Sequence, residues 1–261
     1  MNQKLWSGLA FFLMLVAAAA VVSGPARAQT ADFKEKSPMY TYVANWNIPR
    51  GQWAEMVKSN AADEKLMEKA FASGTLVGYG DDMNLIHQPD QSTHDGWWSG
   101  TSMAAVLSVL DQAYSSGSAT APVLGTANKH WDDLFVSRYY DWHPGSWKGV
   151  YTHGSSYTLK ADAAPDAIDT LTKNVIAPLM EKMLADGSIH EWEVDTEAIH
   201  TTNPSTFWLF YIAANAEALD KVNAALAAML KANPLDGPAF GSMVDFSAHR
   251  DQLSRTNATY K

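Results

Sequence analysis

Residues Leu66–Trp98, LMEKAFASGTLVGYGDDMNLIHQPDQSTHDGWW, return 113 residues later as Leu179–Tyr211, LMEKMLADGSIHEWEVDTEAIHTTNPSTFWLFY, and no other feature restricts the fold as much. Eleven of the thirty-three ungapped positions are identical, among them Gly74 with Gly187, Asp82 with Asp195, Ile86 with Ile199 and His87 with His200. Solenoid repeats run roughly 20–50 residues. A longer period therefore implies two copies of one small domain, read as residues 29–145 and 146–261.

The first 28 residues stand apart from that scheme. Lys4 supplies a positive start, Leu5–Val22 is almost wholly apolar, and Ala26-Arg27-Ala28 is an A-x-A cleavage signal before Gln29. This reads as a signal peptide on a periplasmic or secreted protein. An uncleaved anchor is the alternative, because the apolar run approaches the ~20 residues of a membrane span. No second stretch of that kind follows. Removing Lys4 and Arg27 leaves 17 basic against 28 acidic side chains, a net charge of −11. Such a chain repels phosphate backbones and anionic lipid, so neither nucleic acid nor a membrane surface is expected as a partner. With no cysteine there are no disulfides, iron–sulfur clusters, thiolate metal sites or cysteine nucleophiles. Large aromatic side chains must then hold the cores, at roughly 1.5–3 kcal/mol each.

Taken in order, Met39–Trp46 reads as a strand and Asn47-Ile48-Pro49 opens a helix to about Ala72. Strands follow at Thr75–His87 and His94–Gly100, a helix at Ser102–Tyr114, a flexible stretch at Ser115–Thr126 and a strand at Leu134–Trp142. The second half retraces the order: strand Val150–Leu159, helix from Pro165 to Gly187, strands Ser188–Thr201 and Thr206–Ala213, helix Ala216–Lys231 and strand Phe240–Ala248. Each half is thus an α+β unit of β-α-β-β-α-β order, the ferredoxin-like pattern. The uncovered face of each sheet finds its simplest cover in the other repeat, as an intrachain pseudo-dimer. Further pairing into a homo-oligomer is left open.

Duplication and element order over Met39–Ala248 resemble the dimeric α/β-barrel superfamily. That resemblance implies several activities: small monooxygenases that oxidise aromatics without a cofactor, stress-responsive barrels, and tandem haem proteins similar to chlorite dismutase and the dye-decolourising peroxidases. Fold alone does not choose among them.

Candidate chemistry gathers on the strands. In Ser188–Thr201, period-2 alternation puts His190, Trp192, Val194, Thr196, Ala198 and His200 on one face and Glu191, Glu193, Asp195 and Glu197 on the other. Tyr79 and His87 take the matching face of the first half. An imidazole titrates near neutrality, so His200, with His190, suits a proton shuttle or a metal or haem ligand. The bland reading is a hydrogen bond that fixes a turn in both copies. Arg138, Tyr140 and Trp142 share a face with Leu134 and Val136, fit to bind an anionic or aromatic ligand or to hold a buried ion pair. Trp97, Trp98, Phe207, Trp208, Phe210 and Tyr211 make the third strands aromatic, as core or as a pocket for a flat ligand. His143 and His249 follow the last strand of each half. No G-x-S-x-G, P-loop, H-E-x-x-H, G-x-G-x-x-G or C-x-x-C-H motif occurs.

The expectation is an exported protein that binds a small hydrophobic or aromatic molecule. As an enzyme it would be a cofactor-independent, monooxygenase-like oxidoreductase with His200 and Arg138 as catalytic groups and His87, His190, Trp192, Tyr79, Tyr140 and Trp208 on the ligand. The alternatives are a haem protein, with the second repeat holding haem through a histidine, and a non-catalytic binding or interaction protein.

Overall fold

Alternation along the first strand decides the architecture. Tyr42, Ala44 and Trp46 face helices, while Thr41, Val43 and Asn45 face the inside of a closed barrel. The structure, a computed structural model, describes residues 33–88, 90–234 and 236–261, and the expected signal peptide lies outside them. The first half runs β1 (Met39–Asn47), α1 (Trp53–Ala72), β2 (Gly78–Asn84), β3 (His94–Gly100), α2 (Met103–Ser116) and β4 (Lys129–Trp142). The second runs β5 (Gly145–Leu159), α3 (Ala167–Leu171), α4 (Ala177–Ala185), β6 (Ile189–Glu197), β7 (Thr206–Ala213), α5 (Ala216–Ala232), α6 (Asp236–Met243) and β8 (Val244–Tyr260).

Local chemistry sets the helix ends. Ser102 caps α2 by accepting from the Ala105 amide at 3.1 Å, and Asn215 caps α5 through Ala218 at 2.9 Å. Gly74 and Gly187, matched in the sequence repeat, turn the chain out of α1 and α4 with φ of 84° and 74°. A π turn, Thr172–Ile176, joins α3 to α4. It lies just before Pro178, whose ring has no N–H to complete the ladder.

The eight strands close in the order β1-β3-β2-β8-β5-β7-β6-β4, every neighbouring pair antiparallel. The halves therefore meet edge to edge, β4 on β6 and β8 on β2, and no sheet edge is left open. Two expectations need correction. Phe240 lies in α6, and the last strand starts at Val244 and continues to Tyr260, because its final residues pair with β2 of the first half. His249 is consequently within β8 and not after it. The stretch 115–126 holds two short 3-10 turns, Ser118–Thr120 and Leu124–Thr126.

Each half packs its helices on the outer face of its own strands, and the two packings differ. Seventeen buried residues, including Ile176, Met180, Met183, Trp192, Phe207 and Tyr211, fill the second. Seven, including Tyr42, Trp98 and Leu134, fill the first. Matched positions explain the contrast. Where the second half has Phe207, Trp192 and Val194, the first has His94, Tyr79 and Asp81. Less apolar volume leaves a space.

Candidate functional site

That space is a cavity of about 450 Å³ between the first-half strands and α1 and α2, bounded also by β5 and β8 residues that include Trp147, Lys148 and Arg255. Tyr42 and Trp46 enter it from β1, Tyr79 from β2, His94 and Trp98 from β3, and His130 and Asp132 from β4, with Met56, Met67 and Tyr114 closing the helix side. Strand alternation aims them all the same way. Tyr42 stacks on Trp98 with centroids 4.6 Å apart, and Trp98 is fixed by donating to the Val106 carbonyl at 3.0 Å. Trp46 lies flat on His130 at 3.5 Å.

The polar groups of this cavity are held from behind. His94 is 3 % exposed, and its Nδ1 lies 3.1 Å from the Thr93 hydroxyl. That hydroxyl lies 3.2 Å from the Trp46 carbonyl. Donation there leaves it to accept from Nδ1–H, the tautomer that presents a bare lone pair at Nε2. Nε2 has no partner among the described residues. Burial, with His87 nearby, pulls His94 down to about 4, so the ring is neutral at pH 7. His130 donates Nδ1–H to the Asn45 carbonyl at 2.9 Å and places Nε2 3.4 Å from Asp132. Burial and then the Asp132 carboxylate push the Tyr42 phenol up, which keeps it a proton donor. A neutral acceptor, a phenol donor and aromatic walls can bind a flat molecule bearing a hydroxyl and orient it at that hydroxyl.

The residues expected from the sequence are dispersed. Tyr79 lines this cavity, edge-on to Phe71. Trp208 lines the barrel interior, 4.9 Å from Phe135. Trp192 is part of the second-half core, its indole donating to Glu181 at 3.2 Å. His190 lies on Trp147 at 4.3 Å, and His87 and His200 are exposed in the turns after β2 and β6. A bulge between Ser137 and Tyr139 breaks the face expected for Arg138, Tyr140 and Trp142. Arg138 turns to solvent and pairs with Glu35 at 2.6 Å, and the Tyr140 hydroxyl donates to the Ser37 carbonyl at 2.8 Å. His94, Tyr42, Trp46, His130 and Asp132 were missed. Period-2 alternation continued two turns upstream of Leu134 was the available signal for His130 and Asp132.

Haem held by a second-half histidine does not fit these residues. The helix–sheet space of that half is filled by its own core, and neither the first-half cavity nor the barrel interior is lined by a second-half histidine among the described residues. His153 lies against Tyr211, and His249 donates Nδ1–H to the Ser156 carbonyl at 2.9 Å. No group of three His, Cys, Asp or Glu side chains converges on a metal position among the described residues.

No family model and no curated protein matches the sequence. Among solved structures the chain is similar to a candidate monooxygenase from Lactobacillus acidophilus NCFM, at 12% identity and TM-score 0.62 over 86% of this chain and 97% of that one. It is similar to an anthrone oxidase-like protein at 9% identity and TM-score 0.52, over 87% and 94% of the two chains. A chlorite dismutase variant from Candidatus Nitrospira defluvii follows at 10% and 0.50, over 85% and 92%. At such identities the likeness is one of fold alone: an antiparallel closed barrel with outer helices.

Proposed function

We propose that this protein is an exported oxidoreductase of monooxygenase type, built from two tandem ferredoxin-like copies, that takes a flat, hydrophobic, hydroxylated aromatic molecule into the helix–sheet cavity of its first half without a resident cofactor. One observation carries the reading: a buried, neutral His94 whose Nε2 lacks a partner among the described residues inside an aromatic-walled cavity. An unpartnered buried nitrogen costs about 1–3 kcal/mol, a loss that a ligand hydroxyl donating to Nε2 recovers. Tyr42, kept protonated, then donates to oxygen on the ligand where negative charge develops. The fold shared with a candidate monooxygenase and an anthrone oxidase-like protein supports the class of chemistry as analogy. His200, exposed, and Arg138, exposed and paired with Glu35, do not line this cavity and are given no part in the reading.

The test is oxygen uptake with 1,4-dihydroxynaphthalene and anthrone, alongside quenching of tryptophan fluorescence. Uptake that falls at least tenfold in His94→Asn and Tyr42→Phe but not in His200→Ala supports the reading. Binding without uptake converts it to a non-catalytic carrier. Neither binding nor uptake, with folded protein, sinks it. Mass spectrometry of the exported chain checks the compartment, with a mature N-terminus at Gln29 as the expected result.

A further inference from the structure

The inside of the barrel holds a second cavity, of about 620 Å³, with a different chemistry. Its walls are the strand faces turned away from the helices, and carboxyl groups enter from opposite sides. Glu191, Glu193 and Asp195 come from β6, Asp82 from β2 and Asp95 from β3. Three strands separate β2 from β6 in either direction round the barrel, which makes them opposing walls. All five side chains are buried. Asp82 and Asp195 are also a matched pair of the sequence repeat. Each accepts a hydroxyl proton from the strand that pairs across from the other half, Thr256 on β8 for Asp82 and Ser137 on β4 for Asp195.

Several acceptors are left over. Asn84 and Gln252 donate to one oxygen of Asp95 at 3.2 and 2.9 Å, and Ser137 donates to Glu193 at 3.2 Å. Asp95 Oδ1, Glu191 Oε1 and Asp195 Oδ2 remain buried with no partner among the described residues. Native folds leave few such atoms, because each costs about 1–3 kcal/mol. The fold supplies little countercharge. Of the described residues lining the cavity, the cations are Lys129 and Arg250, both exposed. Lys129 stacks on Trp131, and Arg250 donates to the Ser247 and His249 carbonyls. Between the acidic walls lie aromatic side chains, among them Trp97, Trp208, Phe210 and Tyr260. Ring faces and carboxylates both attract ammonium groups.

We propose that the barrel interior binds a linear organic polyammonium ion of the polyamine class, one ammonium meeting the β6 carboxyls, another meeting Asp82 and Asp95, and the hydrocarbon stem lying along the aromatic rings. A metal ion is the poorer occupant, since no three ligating side chains converge among the described residues and a point charge serves one wall only. Asp82, Trp97 and Asp132 line both cavities, but the proposed site uses neither His94 nor Tyr42, so its test is separate from that of the first-half cavity.

Isothermal titration of the purified protein with spermidine is the experiment, with propylamine and Mg²⁺ as parallel probes. Saturable one-to-one binding of spermidine, much weaker propylamine binding, and a loss of at least about tenfold in the double variant Glu193→Gln, Asp195→Asn are expected, a change of about 1.4 kcal/mol. That variant replaces buried carboxyl groups, whose ionisation the fold opposes, by neutral amides, so its thermal midpoint without ligand does not fall. If it fails to fold, Asp82→Asn on the opposite wall gives the same reading. Absence of saturable heat, unchanged spermidine binding in the variants, or an equal response to Mg²⁺ overturns the proposal.

Discussion

At the scale of single residues, the difference between the halves comes down to a few positions. His94 sits where the second half has Phe207, which is fully buried in a filled core. Under the proposed function, ligand binding and stability therefore oppose each other at this position. Replacing His94 by Phe copies the second half: the ring fills part of the cavity and removes the unpartnered Nε2. The expected result is a gain of about 1–3 kcal/mol, read as a rise in thermal midpoint of about 2–4 °C per kcal/mol for a chain of this size, together with loss of aromatic ligand binding. A lower midpoint with binding retained would show that His94 holds the β3 turn and does not face a ligand. Phe207→His is the reverse exchange, and it puts an unpartnered polar ring into a packed core, so it destabilises.

At the scale of elements, glycine positions on β2 and β3 distinguish the two faces of the wall. A Cβ on Gly80 would meet the Trp97 ring and come 2.5 Å from the Asn257 carbonyl oxygen on the paired strand β8, whereas one on Gly96 meets nothing within 4 Å. Gly80→Ala is expected to cost roughly 1–3 kcal/mol in urea unfolding, and Gly96→Ala to cost nothing measurable; equal effects would argue against the close packing of Trp97 on β2. The same elements show what sequence reading can reach. β3 and β7 were legible to the residue because each is a short aromatic run bounded by turn residues. The closing part of β8 was not, since its partner β2 lies in the other half of the chain and leaves no mark in the local pattern; in β4 it was the opening residues Lys129–Asp133, paired with β1, that local pattern did not reveal. Periodicity assigned the acidic face of β6 correctly as a face but could not give its surroundings, which depend on closure of the barrel. Bulges at Ser137/Tyr139 and Ile189/Glu191 shift the alternation by one residue, which is why Arg138 and His190 fall outside the faces that counting by two gave them.

At the scale of the whole molecule, closing a barrel around carboxyl groups ties stability to pH. Burial pushes Asp82 up to about 8, Asp195 to about 7, and Asp95 and Asp133 to about 6, and holds Glu191 and Glu193 well above the usual carboxylate range. These groups come from β2, β3, β4 and β6, and β8 adds the Tyr260 phenol, also pushed up by burial, with Asp251 and Arg250 at one end of the cavity. A carboxyl whose pKa is higher in the fold than in the unfolded chain binds its proton more tightly in the fold. Its contribution is therefore greatest in acid and is lost as pH rises from about 4 towards the folded value. His94, His153 and His190 act in the opposite sense: burial lowers all three, so their contribution is lost as pH falls below about 6.5. The two trends oppose each other below about pH 6.5, but above it the histidines are neutral in both states and only the lumen groups still titrate. The urea midpoint of the ligand-free protein is thus expected to peak in mild acid and to decline steadily from about pH 6.5 to 8, with Asp195→Asn flattening the decline. A midpoint that stays level or rises across that window would mean that the lumen carboxyls are already ionised and compensated within the fold, and the unpartnered oxygens of Asp95, Glu191 and Asp195 would then need another explanation.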